Sequence, residues 1–370
     1  MKAYKISKDK YLVTDGSNVY ELNESAVMNI NNMISDNMIS DNMISEKNET
    51  KNISKIKRFI LISEKYYESI QALGELGIKT DYADPEKIEY NIKNDTIHVT
   101  DKEFTFTVSK KDVGNTVVFI KSGYSKPELT YLYEEFAKLG ILVINSPDGV
   151  AKTSNKWVTY ELLNQNNINQ PKSVLVASND ISKKEHSELD KKLKQIYSKP
   201  EDDDKYVCKL LKGHGGRGVF ICRQKNILSI LQTIFAINSD EQILVQKFIN
   251  IKDGDIRVNV LTIGDKQEII NAVNRTKENQ SDFRTNLSLG GHAEEITVDN
   301  NIISVAKNVA KLSGLVWAGV DIIKDDDNNI YVIEINGAPG TPYDVENKND
   351  LLEKNINFYA SLVKIIDKML

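Results

Sequence analysis

Cysteine is nearly missing from this 370-residue chain, which has only Cys208 and Cys222. Two thiols cannot build a disulfide framework, and each ends an apolar run (Tyr206–Leu211 and Val219–Cys222), so both read as buried free thiols. Long apolar runs are also missing. No stretch reaches the roughly 18 apolar residues of a membrane helix. Met1-Lys2-Ala3-Tyr4-Lys5 lacks the apolar core of a secretory signal. The default expectation is a cytoplasmic protein. There is no basic excess: 48 Lys and Arg against 53 Asp and Glu leave a net charge of −5. That argues against a nucleic-acid binder working through a broad basic surface. The four histidines form no Ser-His-Asp or Cys-His constellation, and His214 and His292, each beside a glycine pair, read as incidental loop residues. No covalent nucleophile is expected.

What is present is an ordinary globular composition, 40% hydrophobic and 27% charged, in a chain long enough for two or three domains. Residues 2–22 alternate well enough for a hairpin around Asp15-Gly16. A pentapeptide repeat follows, Asn32-Met-Ile-Ser-Asp, Asn37-Met-Ile-Ser-Asp and Asn42-Met-Ile-Ser-Glu. A period of five matches neither a helix face nor a strand face, so this segment reads as a low-complexity linker. From Lys57 the pattern is strand (Arg58–Ser63), helix (Glu64–Leu76), strand (Thr116–Lys121), helix (Lys126–Leu139), strand (Ile141–Asn145), the order of a small doubly wound α/β domain. Ala151–Asn167 reads as one helix. Beyond Pro171 come strands and short helices, then the runs Ile256–Ile263, Glu268–Arg275, Leu315–Ile323 and Tyr331–Asn336. Helices are expected near Asn301–Leu312 and Asp350–Leu370. This is an α+β body with antiparallel strands.

Three stretches carry chemistry. In Val207-Cys-Lys209-Leu-Leu-Lys-Gly213-His-Gly-Gly216-Arg-Gly218-Val a lysine ends a strand and a glycine-rich loop follows. Glycines let backbone N–H groups approach phosphate oxygens, and Lys209 adds a point charge. A hairpin turn gives the same pattern, and the order of residues is not that of a Walker A loop. The second stretch is Gly319-Val-Asp321 with Val332-Ile-Glu334-Ile-Asn336-Gly-Ala-Pro-Gly340. Glu334 and Asn336, two apart on a strand, share a face that Asp321 on a neighbouring strand can reach. Two carboxylates and an amide oxygen suit Mg²⁺, with phosphates completing its shell. Val320, Ile322, Ile333 and Ile335 read as the core side. The third comprises Asp255-Ile-Arg257, Asn274-Arg275-Thr-Lys277 and Asp282-Phe-Arg284-Thr-Asn286-Leu-Ser-Leu-Gly290-Gly291. These polar groups close apolar strands, and arginines there can hold phosphate or carboxylate bidentately.

Taken in order, these motifs resemble the ATP-grasp superfamily, in its RimK-like branch of α-L-glutamate-type ligases, over roughly residues 140–345. The resemblance implies two α+β subdomains clamping ATP behind a small α/β domain. The expected organisation is a hairpin (1–24), a linker (25–55), a pre-ATP-grasp domain (56–150), a central subdomain (151–245) and a C-terminal subdomain with the metal site (246–370). It implies ATP- and Mg²⁺-dependent joining of a carboxylate to an amine through an acyl-phosphate, with two ions and Mn²⁺ as a substitute. Lys156 and Lys209 would touch ATP. Gln246, Lys247 and Phe248 would meet adenine, Asp255 the ribose, and Arg284, Thr285 and Asn286 the nucleotide. Asp321, Glu334 and Asn336 would hold metal, while Arg275 and Lys209 would serve the transfer. Partners would be an amino acid and a protein, peptide or small-molecule acceptor, with homo-oligomers common among such proteins. Two positions depart from the family pattern. Leu289 stands where an arginine usually precedes Gly290-Gly291, and Lys247 stands where the hinge usually has an acid. A peptide-modifying ligase and a hydroxyl kinase are the competing readings.

Overall fold

Polar–apolar alternation near the N-terminus gives three short strands, β1 (Lys2–Lys5), β2 (Lys10–Thr14) and β3 (Val19–Asn23), paired antiparallel in sequence order. The expected hairpin corresponds to β2 and β3, with one more strand before it, and its turn residues Asp15-Gly16 lie outside the described residues. The computed structural model describes residues 2–5, 10–14, 19–23, 54–64, 67–101, 104–122, 124, 126–181, 187–213, 217–251, 254–276, 292–339 and 351–370. The pentapeptide repeat and the triplet Arg284, Thr285 and Asn286 lie outside the described residues, as do His214 and Leu289. Contacts divide the chain into two units, residues 1–147 with 340–370, and residues 148–339.

In the first unit, continuous apolar runs make strands buried on both faces. β4 (Arg58–Ile62), β5 (Lys79–Ala83), β9 (Thr116–Ile120) and β10 (Leu142–Ile144) form a parallel sheet in the order β10-β9-β4-β5. Helices α1 (Tyr67–Glu75) and α2 (Pro127–Lys138) belong to the same unit. Pro127 sits in the first turn of α2, and Leu129, Leu132, Tyr133 and Phe136 bury one stripe. An antiparallel sheet, β6 (Glu89–Lys93), β7 (Thr96–Thr100) and β8 (Thr105–Ser109), was not expected. Its inward residues Ile97, Val99, Phe106 and Val108 join the same core as Ile60, Val118 and Phe136.

In the second unit, α3 (Pro147–Thr153) and α4 (Lys156–Gln165) replace the single helix expected over Ala151–Asn167. Asn155 breaks it. Its side chain accepts from the N–H groups of Trp157 and Val158, which makes it the N-cap of α4 and leaves Lys156 as the first residue of that helix. Strands β11 (Ser173–Ala177), β12 (Lys205–Leu210), β13 (Val219–Arg223) and β14 (Gln242–Lys247) form one antiparallel sheet, ordered β11-β14-β12-β13. Helices α5 (Ser178–Ile181), α6 (Ser187–Ile196) and α7 (Gln224–Ile237) share its core, which carries Cys208 and Cys222, whose sulfurs are 3.4 Å apart. Cys208 stands opposite Phe220 and Cys222 opposite Tyr206, so the two thiols are diagonal neighbours, both free and buried as expected.

A second antiparallel sheet holds β15 (Asp255–Ile263), β16 (Lys266–Thr276), β17 (His292–Glu295), β18 (Trp317–Lys324) and β19 (Ile330–Asn336), ordered β17-β16-β15-β18-β19. Helix α8 (Asn300–Ser313) covers one face with Ile302, Ala306, Val309 and Ala310, capped by Asp299 and stopped by Gly314 at φ 73°. One expectation about this core needs correction. Asp321 pairs with Glu334 but Ile322 pairs with Val332, so Ile333 is the extra residue of a β-bulge. The bulge puts Val332 with Ile335 in the core and leaves Ile333 lining a cleft.

The last helix, α9 (Leu351–Met369), belongs by its contacts to the first unit. Its buried residues Tyr359, Leu362 and Ile366 recur at helical spacing. The Tyr359 hydroxyl bonds Ser69 of α1 at 2.8 Å, and its ring meets Phe59 and Phe119 edge-on.

Gly254 opens β15 at φ 84°, and a Cβ there would stand 2.1 Å from the Arg275 carbonyl oxygen. Gly254→Ala is therefore expected to cost about 2 kcal/mol of unfolding free energy. Urea unfolding of the pair of proteins measures it, and equal midpoints would contradict the close approach.

Candidate functional site

A cleft opens within the second unit. From α3, α4 and the segment after them it is lined by Thr153, Lys156, Thr159, Tyr160, Leu163 and Gln170. The strands add Lys209, Leu244, Gln246, Ile333 and Glu334. Two lysines and a carboxylate meet there, against an apolar wall. The break at Asn155 places Lys156: its N–H bonds the Leu211 carbonyl at 3.0 Å, its Nζ donates to the Gly213 carbonyl at 2.9 Å, and the same Nζ lies 3.5 Å from Glu334. The first helical turn of α4 is thereby tied to the entry of the glycine-rich segment. Gly213 (φ 151°) and Gly218 (φ 71°) adopt backbone conformations in which an L side chain is strained.

Beside the cleft, cross-strand pairs set out a polar grid, because directly opposed residues share a face. One row runs Arg257, Asp321, Glu334, and the next runs Asn271, Asn259, Gly319, Asn336; Asp255 opposes Arg275 at the margin. Val258, Val320, Ile322 and Ile335 occupy the opposite, buried face. Alternation thus separates chemistry from core across three strands.

The grid is densely paired. Arg257 grips Asp321 in a fork, Nε to Oδ1 at 2.7 Å and Nη2 to Oδ2 at 2.8 Å. Arg275 Nη2 reaches the same Oδ2 at 2.9 Å and also binds the Asp255 carboxylate in a short contact. The Asn336 amide donates to Asp321 Oδ2 at 3.0 Å. Burial alone would raise the Asp321 carboxyl, but Arg257 and then Arg275 outweigh it and hold the group down at about 2. Burial works against the charge on Arg275 too, and Asp321 with Asp255 more than offsets that. Lys209 is pushed down to about 8 by burial, with Glu334 opposing the shift and Lys156 adding to it.

The expected site residues therefore fall into groups. Lys156, Lys209, Gln246 and Glu334 line the cleft, and Asp321, Asn336 and Arg275 join them through the grid. Gln246 is buried, its amide donating to the Ser173 hydroxyl at 3.0 Å. The side chains of Lys247 and Phe248 are engaged elsewhere, Lys247 over the Tyr197 ring and Phe248 under the Lys205 ammonium. Their N–H groups bond the carbonyls of Lys172 and Lys205. Asp255 is 2% exposed, and its carboxylate is bound to Arg275 rather than open to a ligand. Arg257 belonged to the third chemistry-bearing stretch but was given no role of its own, although its two-residue offset from Asp255 puts both on one face. Tyr160 and Gln170 carry no sequence signal that would have found them.

Among the described residues no three His, Cys, Asp or Glu side chains form a metal cluster. Asp321 and Glu334 supply two carboxylates and Asn336 an amide, a hard oxygen set that Mg²⁺ accepts when phosphates complete its octahedron. The residues fit that ion.

A model of the RimK-like ATP-grasp domain matches residues 153–358. A probable alpha-L-glutamate ligase of Thioalkalivibrio sulfidiphilus is 28% identical over 268 residues, 71% of this chain and 80% of its own length. The alpha-aminoadipate–LysW ligase LysX of Sulfurisphaera tokodaii is 27% identical over 263 residues, 70% of this chain and 84% of its own. Among solved structures, the ATP-grasp ligase PsnB complexed with minimal precursor, Mg and ADP aligns with a TM-score of 0.56 at 16% identity, over 84% of this chain and 98% of that one. D-alanyl-alanine synthetase A from Vibrio cholerae aligns with a TM-score of 0.53 at 13% identity, over 82% and 98%. The latter two likenesses show the fold.

Proposed function

Since this chain belongs to the RimK-like ATP-grasp family of carboxylate–amine ligases, we propose that it adds an amino acid such as glutamate to a protein or small-molecule acceptor, at the cost of ATP. The observation that carries this reading is the row Arg257, Asp321, Glu334 standing beside a cleft that already holds Lys156 and Lys209.

In the proposed reaction a carboxylate oxygen attacks the γ-phosphorus of ATP, and the bond to ADP breaks. The amine nitrogen then attacks the acyl carbon of the acyl-phosphate, loses a proton, and expels inorganic phosphate. Lys156 and Lys209 face the phosphates, and Leu163, Leu244 and Ile333 form an apolar wall for the base. Asp321, Glu334 and Asn336 would hold magnesium, which would neutralise charge on the transferring group; the family reading puts two ions there, with Mn²⁺ able to replace them. Arg275 faces the reacting carboxylate, with Asp255 fixing its guanidinium instead of meeting the ribose. Arg284, Thr285 and Asn286 complete the nucleotide contacts by their match to the family motif.

The test is a panel of amino acids and acceptors with Mg-ATP, read by mass and by phosphate release. Amine-dependent release of phosphate with a mass gain of one amino-acid residue is expected. A stable phosphorylated product without phosphate release would favour a kinase and overturn the proposal. A second reading has support from solved structures: PsnB and the macrocyclase MdnC, each bound to a precursor peptide, share this fold. Modification inside a peptide would instead remove one water per link.

Nucleotide affinity carries a pH signature. The folded Lys209 sits near pH 8, below its ordinary 10.5, so keeping it charged costs stability below about pH 8, and that cost is relieved as pH rises toward 10.5. Phosphate binding needs the charged form. ADP affinity is expected to fall by about tenfold between pH 7 and 9.5, and Lys209→Met should be weak at both. Calorimetry measures this, and a flat parental profile would remove Lys209 from the phosphates.

A further inference from the structure

We infer that Arg257 makes metal capture at Asp321 conditional on nucleotide, by occupying that carboxylate until an anion draws the guanidinium away. The inference rests on the proposed ATP site and adds a positioning residue to it. Asp321 is 1% exposed and receives four donors: the Arg257 fork at 2.7 and 2.8 Å, Arg275 at 2.9 Å and Asn336 at 3.0 Å. A divalent cation reaching this side chain must displace a bidentate, charge-assisted pair, among the stronger hydrogen-bond arrangements in proteins. It must also enter a field of the wrong sign. Among the described residues, Lys156, Lys209, Arg257 and Arg275 place four cations around the three carboxylates Asp255, Asp321 and Glu334. The balance is positive and repels a bare divalent ion. A triphosphate carrying about four negative charges reverses the sign and offers the displaced fork a new partner.

The exchange also sets an order. While Asp321 holds both guanidiniums, neither is fully available to a substrate carboxylate. Once metal takes Asp321 and the triphosphate holds Arg257, the Arg275 N–H that faced Asp321 becomes free. Carboxylate binding should therefore follow nucleotide and metal.

The test follows the electron paramagnetic resonance signal of free Mn²⁺ over the full chain, with and without the non-hydrolysable analogue AMPPNP. The parent is expected to bind Mn²⁺ at least about tenfold more weakly without AMPPNP than with it, and Arg257→Met to bind Mn²⁺ alone about ten- to a hundredfold more tightly than the parent does. Arg257→Lys, which keeps the charge but loses the fork, should fall between them and serves if the methionine variant fails to fold, which circular dichroism reports. Equal parental affinity with and without AMPPNP overturns the inference, and so do variants no tighter than the parent. If Mn²⁺ fails to bind the parent even with AMPPNP, the metal assignment itself fails and this inference falls with it.

Discussion

Glu334→Ala is expected to lower ATP turnover by about a hundred- to a thousandfold and to leave the fold intact. The side chain is one-third exposed, on a strand at the margin of its sheet, so its removal opens no cavity. Among the described residues it pairs with Lys156 at 3.5 Å, a contact too long to support much stability. What the carboxylate does carry is position. It stands directly across from Asp321 and also lines the cleft, which links the metal-binding row to the lysines. Glu334→Gln, with the same shape and no charge, should be nearly as slow. ADP release under saturating Mg-ATP measures both, alongside the thermal midpoint. Turnover within a few-fold of the parent would end the metal assignment, and a collapse of the midpoint would mean that Glu334 is structural.

Arg275→Met should be among the most damaging single changes to stability, at about 3–5 kcal/mol, because it takes a buried guanidinium away from both Asp255 and Asp321. Arg275 and Asp255 are 5% and 2% exposed. Their attraction does little more than offset the cost of taking both out of water, so the large effect arises from breaking the pair rather than from the pair itself. The double variant Asp255→Leu, Arg275→Met is therefore expected to recover most of the lost stability while remaining inactive. Urea unfolding and ADP release on the same three proteins separate the two roles. A double variant as unstable as the single one would contradict this account, and an active double variant would take Arg275 out of the chemistry.

The elements that position the site were legible where pattern and burial agree. The runs around Val258, Val320 and Ile335 alternate cleanly, so the polar face of the second sheet could be read in advance. The small α/β domain was legible for the same reason. Three things were hidden. Asn155 is a polar residue inside a plausible helix, and only its bonds to Trp157 and Val158 make it a cap. The strands at 89–109 alternate, but a mostly exposed edge strand offers little apolar signal. The pairing of Asp255 with Arg275 needs cross-strand register, which no linear spacing supplies. In the last case the carboxylate expected to meet the ribose is buried and bound to Arg275.

The extra residue at Ile333 divides β19 into two halves of opposite parity. Past it, Glu334 and Asn336 take their alignment from β18; before it, Val332 keeps the opposite phase. Pairing Ile333 in regular register instead of bulging it would leave the carboxylate and amide opposite β18 and turn the Ile330–Val332 end inside out, exchanging which side chains meet α8 and which meet water. Drift in the hydrophobic half thus need not drag the reactive half with it, and a lineage can retune one while holding the other still.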